Sequence, residues 1–172
     1  MTEVEIKIRI PGVAPVAAKL RELRAVEVKP RHREDNILYD FPSGDLRRRQ
    51  EALRVRAVGK KCFLTFKGQP QPSRRFKVRE EHQTEVRSAA ELRKILKSLG
   101  LRTAARYGKF RTVFRLGRLT VCLDELSIGT FMELEGKRSE IVKAARALGY
   151  GPADFIRTSY LGLLAEADGR EG

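Results

Sequence analysis

The sequence begins with a short run in which charged side chains alternate with aliphatic ones. In residues 3–10 this alternation places Glu3 and Glu5 on one face of an extended strand, and the valine and isoleucine side chains on the other. A later run repeats the pattern and places Glu133 and Glu135 on a shared face. Carboxylates from two strands supply the hard oxygen ligands that Mg²⁺ or Mn²⁺ requires. The alternative is that each pair is the solvated face of a half-buried strand.

Length and composition restrict the class of protein. The chain has 172 residues, which predicts a single domain over residues 1–165 followed by a disordered tail over residues 166–172. Its formal charge of +14 predicts an anionic partner. There is no long apolar run and no apolar signal segment, so we predict a cytoplasmic protein without membrane association. Cys62 and Cys122 lack metal-ligand spacing and are predicted to be buried thiols.

The rest of the chain alternates further strands with amphipathic helices. Strands are predicted at residues 28–40, 53–56, 62–67, 75–86, 109–113 and 120–125. Helices are predicted at residues 13–24, 89–99 and 139–148, the second burying Leu92, Ile95, Leu96 and Leu99, and the third capped by Ser139. With the two acidic strands, the pattern predicts an α+β fold in which eight antiparallel strands form a closed barrel with peripheral helices.

Charged side chains share one parity on nearly every predicted strand. The later strands contribute Arg54 and Arg56, Lys67, Arg79 with Glu81, Lys109 and Arg111, and Asp124. Solvated outer faces would mix lysine, threonine and glutamine with little order, whereas these strands are strongly cationic or strongly acidic. A closed barrel could turn these faces inward and its apolar faces outward against the helices. The resulting tunnel suits a triphosphate, because arginine and lysine bind phosphate oxygens and carboxylates hold divalent ions.

This ordered series resembles the CYTH superfamily, also called the triphosphate tunnel metalloenzymes, over residues 2–165. The resemblance begins at Glu3-x-Glu5-x-Lys7, continues through each of the charged strands and ends at Ser159-Tyr160. Tyr160 is interpreted as packing the C-terminal segment against the barrel. The Gly-x-Phe-x-Glu-x-Glu segment at residues 129–135 is most similar to the branch that holds class IV adenylate cyclases and small organic triphosphatases.

The resemblance implies a role for each matching residue. Metal ligands would be Glu3, Glu5, Asp124, Glu133 and Glu135, and phosphates would be bound by Lys7, Arg54, Arg56, Lys67, Arg79, Lys109 and Arg111. The catalytic residues implied are Lys7 and Glu81. Lys7 could accept a proton only if its pKa were lowered. This role is a hypothesis, and the neighbouring carboxylates oppose it because they favour the charged form of Lys7. Gln83 stands where many members have a second glutamate. It can still accept a hydrogen bond but cannot serve as an anionic ligand or base, which weakens any second metal site on that strand.

The implied activity is metal-dependent cleavage of a triphosphate with Mg²⁺ or Mn²⁺. Attack by water would make the protein an organic or nucleoside triphosphatase. We favour this reaction because water needs no dedicated adenosine pocket, and the sequence indicates none. Attack by the 3′ hydroxyl of ATP would make it a class IV adenylate cyclase. The rival from another class is a non-enzymatic binder of RNA or polyphosphate. We expect a triphosphate-bearing small molecule as the partner (ATP, thiamine triphosphate or inorganic triphosphate) and not nucleic acid, and a monomer or homodimer. The run Arg47-Arg48-Arg49 is interpreted as a solvated run or a patch at the tunnel mouth, in preference to a nucleic-acid contact.

Overall fold

A computed structural model describes residues 2–169. In it, the segments in which apolar and charged side chains alternate form strands, and those with apolar side chains at a helical period form helices. The strands are β1 (Thr2–Ile10), β2 (Val26–Asp40), β3 (Ala52–Val58), β4 (Lys61–Lys67), β5 (Lys77–Val86), β6 (Arg102–Leu116), β7 (Leu119–Leu126) and β8 (Gly129–Glu135). The helices are α1 (Val13–Glu22), α2 (Asp45–Arg48), α3 (Ala89–Ser98), α4 (Arg138–Ala147) and α5 (Tyr160–Asp168), with a 3₁₀ turn at Pro152–Asp154. None of the helices within residues 2–169 is long and apolar enough to cross a membrane.

The eight strands form a closed antiparallel barrel in the order β1-β5-β4-β3-β2-β6-β7-β8, with the helices at its periphery. The predicted α+β class and eight-stranded closed barrel are therefore confirmed. Helix α5 continues to Asp168 and so includes the first residues of the predicted disordered tail. Residues 170–172 of that tail lie outside the described residues.

The described residues group into two compact units, each with its own hydrophobic core. Among the described residues, the first unit comprises Thr2 and residues 33–72 and 79–108, and the second comprises residues 3–32, 73–78 and 109–169. The single domain predicted over residues 1–165 stays a prediction.

The core of the second unit lies on the aliphatic face of its strands. Across the β1–β8 pair, Ile6 lies opposite Leu134, and both side chains are fully buried. Helices α1 and α4 cover this face with a stripe that includes Leu20 and Ile141, which are also fully buried. Because side chains alternate along a strand, the charged residues of the same strands lie on the opposite face. The predicted covering of the apolar face by these helices is confirmed.

The core of the first unit is smaller and is covered by α3. Leu92 and Leu96 pack there with Tyr39 of β2. The other two residues of the predicted α3 stripe, Ile95 and Leu99, are 56% and 64% exposed. That part of the prediction is wrong. At about 100° per residue Ile95 lies well round the helix from the Leu92–Leu96 line, and Leu99 is the C-cap, beyond the last residue of α3.

The N-cap of helix α4 lies two residues earlier than predicted. Its first residue is Arg138 and its N-cap is Lys137, whose side chain makes no capping hydrogen bond. Ser139 therefore lies within the first turn, and its prediction as the N-cap is wrong. Helix α3, in contrast, has a serine N-cap, since the Ser88 hydroxyl accepts a hydrogen bond from the Glu91 amide at 3.2 Å.

The carboxylate of Asp40 organises the start of α2. It accepts hydrogen bonds from the backbone amides of Phe41 at 2.7 Å, Leu46 at 2.9 Å and Arg47 at 3.1 Å. Burial by itself would raise the pKa of Asp40, but these three amides lower it below its ordinary value. A carboxyl whose pKa is lowered on folding stabilises the fold above its unfolded pKa, and this contribution is lost as the pH falls through the folded pKa.

Replacing Asp40 with alanine is expected to lower the free energy of unfolding by about 1–2 kcal/mol at neutral pH, the usual cost of losing a cap. The wild-type protein should lose more stability than the variant as the pH falls below about 4, where the unfolded carboxyl takes up its proton. Urea unfolding at neutral and acidic pH measures both effects. Asp35→Ala, which removes an exposed carboxylate from the same strand, is the matched control. Identical acid profiles for the wild type and Asp40→Ala would contradict the assignment.

Candidate functional site

Four strands of the second unit bring predicted site residues onto one face. In the strand register Glu5 lies opposite Glu135, and Lys7 lies opposite Glu133. We call the group on this face the ion-pair cluster; its members are Glu3, Glu5, Lys7, Lys109, Arg111, Asp124, Glu133 and Glu135. This is the face opposite to the one that packs against α1 and α4. The predicted shared parity of these residues is thus found within the unit.

Asp124 is the centre of the cluster and is fully buried. Its oxygens accept hydrogen bonds from Lys109 Nζ at 3.0 Å and from Arg111 Nε and Nη2 at 2.6 and 2.5 Å. The Tyr160 hydroxyl donates a further hydrogen bond to Oδ2 at 2.7 Å. Arg111 also reaches from Asp124 to the Glu133 carboxylate. Asp124 therefore fixes the position of two cations in a site from which water is largely excluded.

Lys7 is the second buried charge in the cluster. Its Nζ lies 3.2 Å from Glu133 Oε1 and 3.5 Å from Glu5 Oε1. Burial alone would lower the pKa of Lys7, but the carboxylates of Glu5 and Glu133 outweigh it and hold that pKa well above its ordinary value. The lowered pKa that a proton-accepting Lys7 requires is not found. Lys7 is a fixed cation in this structure, which suits binding of phosphate oxygens.

Two residues that the sequence analysis did not assign to the site belong to it. Lys77 Nζ donates a hydrogen bond to Glu5 Oε1 at 2.8 Å. Tyr160, which we had interpreted only as packing, also contacts the cations, because its ring centroid lies 4.7 Å from Lys7 Nζ and 4.8 Å from Lys109 Nζ. The sequence held a signal for each: Lys77 shares the parity of the neighbouring cationic strand residues, and Tyr160 ends the resemblance motif.

The carboxylates of the cluster have the right chemistry for a hard divalent ion, since Mg²⁺ and Mn²⁺ prefer oxygen donors. As the side chains lie, however, no three His, Cys, Asp or Glu residues within residues 2–169 are placed to hold a metal ion together. Glu5, Glu133 and Asp124 are instead paired with cations. Cys122 is on the same face, and burial raises the pKa of its thiol to about 12, so the thiol is protonated at neutral pH in this structure. The metal ligands therefore stay a prediction.

The first unit carries the remaining predicted cations, again on one face of adjacent strands. We call Arg54, Arg56, Lys67 and Arg79 with Glu81 the basic group. Lys67 lies opposite Glu81 in the β4–β5 register, and Lys67 Nζ lies 2.7 Å from Glu81 Oε2. Arg79 donates from Nε to the Gly68 carbonyl at 2.8 Å and from Nη2 to the Gln50 carbonyl. Because the Arg79 guanidinium donates to backbone carbonyls in this structure, its binding of phosphate stays a prediction.

Gln83 is part of the same face. Its Oε1 accepts hydrogen bonds from Thr65 Oγ1 at 2.9 Å and from Arg56 Nη2 at 3.1 Å. The prediction that Gln83 keeps a hydrogen-bond acceptor there is confirmed. Sequence analysis did not assign Glu34, although its carboxylate lies 3.6 Å from Arg56 Nη1. Nor did it assign Asn36, which is 1% exposed and whose amide atoms have no partner among residues 2–169.

Comparison with known proteins agrees with this arrangement. The CYTH domain pattern matches residues 1–160. The chain belongs to the CYTH family. A CYTH relative named "Putative adenylate cyclase", from Methanocaldococcus jannaschii, is 30% identical over 174 residues, which cover 95% of this chain and 98% of the relative. The family predicted from the charged strands is therefore confirmed.

Solved structures share the CYTH fold. The PH1819 protein of Pyrococcus horikoshii superimposes with a TM-score of 0.77 at 28% identity, covering 96% of this chain and 99% of that one. HpAC1 of Hippeastrum, for which a dominant triphosphatase activity is described, superimposes with a TM-score of 0.71 at 21% identity, covering 96% of each chain. At that identity HpAC1 is evidence for the fold alone.

Proposed function

We propose that this CYTH protein is a divalent-metal-dependent enzyme that binds a small organic triphosphate and hydrolyses it. The observation that supports this most strongly is the burial of the ion-pair cluster, in which Lys7, Lys109 and Asp124 are 2%, 3% and 0% exposed. Buried ion pairs contribute little to stability, and apolar side chains of similar volume often stabilise a fold more. A cluster with several buried cations is better explained as a phosphate-binding site, because each cation is already desolvated and oriented.

The chain's own residues would share the work as follows. Lys7, Lys109 and Arg111 bind phosphate oxygens, and Asp124 keeps the last two of these cations in place. The residues that would hold Mg²⁺ or Mn²⁺ are Glu3, Glu5, Glu133 and Glu135, supported by Asp124. A bound ion would neutralise the charge that develops on the reacting phosphate. The basic group, Arg54, Arg56, Lys67 and Arg79, is proposed to bind phosphate as the family resemblance implies. Glu81, held by Lys67, stays a predicted catalytic residue.

Hydrolysis is the reaction we favour. Water as the nucleophile needs no dedicated adenosine pocket, and loss of the γ-phosphoryl group then follows from in-line attack. The dominant triphosphatase activity described for HpAC1 is consistent with this choice. The second candidate is the class IV adenylate cyclase reaction, in which the 3′ hydroxyl of ATP attacks the α-phosphorus to give cyclic AMP and pyrophosphate. The name of the Methanocaldococcus jannaschii relative favours that candidate.

A product assay distinguishes the two reactions. The purified protein is incubated with ATP and Mg²⁺ or Mn²⁺, and orthophosphate, pyrophosphate and cyclic AMP are quantified. We expect orthophosphate without cyclic AMP. If cyclic AMP and an equimolar amount of pyrophosphate form instead, the protein catalyses the cyclase reaction rather than hydrolysis. Thiamine triphosphate and inorganic triphosphate, tested in parallel, would rank the organic groups that the site accepts.

A further inference from the structure

The predicted triphosphate site does not account for the positive charge of the protein. Its residues include seven cations and six carboxylates, a net charge of +1, whereas the whole chain carries +14. Most of the excess therefore lies elsewhere on the molecule. Some exposed cations of the first unit have a carboxylate partner, as Arg33, Lys61 and Lys94 do. A place where exposed cations collect without such partners would indicate a second anionic ligand.

The first unit contains such a place. A cleft of about 920 Å³ is lined by Arg93 and Lys97 of α3 and by Arg102 and Arg106 of β6, with Tyr39 and Phe41 in its wall. All four cations are exposed, and within residues 2–169 none of them forms an ion pair with a carboxylate.

The cleft carries almost no opposing charge. Its lining includes one carboxylate, Asp45, which is already paired with Arg48 of α2. Asp45 also accepts a hydrogen bond from the Ser43 hydroxyl at 2.6 Å. The four lining cations therefore face solvent, and an anion that occupies the cleft reduces their mutual repulsion further than dissolved salt does.

The spacing of the cations favours an extended polyanion over a single phosphate. Arg93 and Lys97 lie on successive turns of one helix, about 6 Å apart along its axis. Arg102 and Arg106 lie on the same face of a strand, about 13 Å apart. One phosphate group cannot contact charges distributed over this length, whereas a strand with regularly spaced phosphates can. The half-buried ring of Phe41 adds an aromatic surface of the kind on which unpaired bases stack.

We propose that this cleft, lined by Arg93, Lys97, Arg102 and Arg106, binds a single-stranded nucleic acid through its phosphate backbone. The expectation against nucleic acid was drawn from the run Arg47-Arg48-Arg49, and none of these three residues lines the cleft. The proposal is independent of the triphosphate chemistry, because none of the cleft residues belongs to the ion-pair cluster or the basic group.

The test measures binding of a labelled short oligouridine with a 5′ hydroxyl, so that no terminal triphosphate can enter the catalytic site. One variant replaces the four cleft cations with glutamine (R93Q, K97Q, R102Q and R106Q). The matched control (R115Q, R118Q, K143Q and R146Q) removes the same charge from exposed positions of the second unit. The dissociation constant is measured by fluorescence anisotropy over a range of salt concentrations, with a duplex of the same length and inorganic polyphosphate as further ligands.

We expect the cleft variant to lose at least about tenfold in affinity, and its salt slope to flatten by about 3, since each phosphate contact on a single strand contributes about 0.7. The control should keep the wild-type slope. The proposal would be overturned if both variants lost the same affinity for oligouridine, or if the wild-type protein bound the duplex as tightly as the single strand. It would also be overturned if the wild-type protein bound polyphosphate but not oligouridine, or bound neither. If the fourfold variant fails to fold, the R102Q, R106Q pair replaces it, with an expected flattening of about 1.4. Triphosphate turnover should be unchanged in either cleft variant, so failure here leaves the proposed function standing.

Discussion

Replacing Glu135 with glutamine is expected to reduce the rate of triphosphate cleavage at least about 100-fold, the upper range for losing a residue that only supports a metal ligand. Glu135 lies directly opposite Glu5 across the β1–β8 pair. Glutamine has nearly the same shape as glutamate but carries no charge, so it removes an anionic ligand while the strand pairing remains. Steady-state turnover at saturating Mg²⁺ measures the effect, and circular dichroism checks the fold.

Glu125→Gln is the matched control for this variant. Glu125 follows Asp124 on β7, and its carboxylate pairs with Arg31 at 2.8 Å at the surface. We expect Glu125→Gln to retain nearly wild-type turnover. Full activity of Glu135→Gln would contradict the role given to this carboxylate. If the wild type showed no turnover and Glu135→Gln bound triphosphate more tightly than the wild type, the protein would be a non-enzymatic binder instead.

Replacing Asp124 with asparagine is expected to lower the free energy of unfolding by about 3–5 kcal/mol. The carboxylate is fully buried and pairs with both Lys109 and Arg111. Asparagine keeps the volume but leaves these cations in a water-poor environment without their main counter-charge. The cost arises from the unpaired buried cations rather than from the loss of an attraction alone. Urea unfolding of the wild type and the variant measures the difference.

The same variant offers a second readout, because an added anion can replace the missing charge. Inorganic triphosphate should raise the unfolding midpoint of Asp124→Asn, since any ligand that binds only the folded state stabilises it. Asp35→Asn, which alters a surface pair whose aspartate side chain is 56% exposed, should change stability by less than about 1 kcal/mol. A loss below about 1 kcal/mol for Asp124→Asn would show that Lys109 and Arg111 do not depend on this carboxylate.

The fold was predictable because alternation in these strands is unusually regular. Glu3, Glu5 and Lys7 alternate with aliphatic residues so strictly that only an extended strand sorts them. The boundaries were less predictable, because they depend on packing. Helix α3 ends at Ser98, so Leu99 is its C-cap, and the small core of the first unit covers only Leu92 and Leu96 of the predicted stripe.

The residue types of the site were predictable, but their partners were not. Strand parity placed Lys7 and Glu133 among the site residues, whereas their 3.2 Å contact depends on the register of β1 against β8. Parity also includes Lys77, and only the structure shows that this lysine contacts Glu5. Tyr160 ends the series of residues that carries the resemblance, but its hydrogen bond to Asp124 was not predictable, because it depends on how α5 packs in the second unit.

The position of the excess charge was also beyond the sequence. The total of +14 indicates an anionic partner, and the cationic strands offered an obvious explanation for it. In the structure those cations are largely matched by carboxylates, as Lys67 is by Glu81. The unpaired cations Arg102 and Arg106 precede the predicted sixth strand and were not singled out. Where charges collect depends on the packing of α3 beside β6, which no local pattern records.

The most direct test of the central claim is the rate of phosphate release from inorganic triphosphate, followed by phosphorus NMR in the presence of Mg²⁺ or Mn²⁺ and again after chelation. This substrate has no organic group, so the measurement isolates the phosphate-binding and cleaving machinery. We expect cleavage to orthophosphate and pyrophosphate that stops when the metal ion is removed. Tight binding of triphosphate without cleavage under any metal condition, with ATP and thiamine triphosphate also intact, would contradict the account and leave a binding protein in its place.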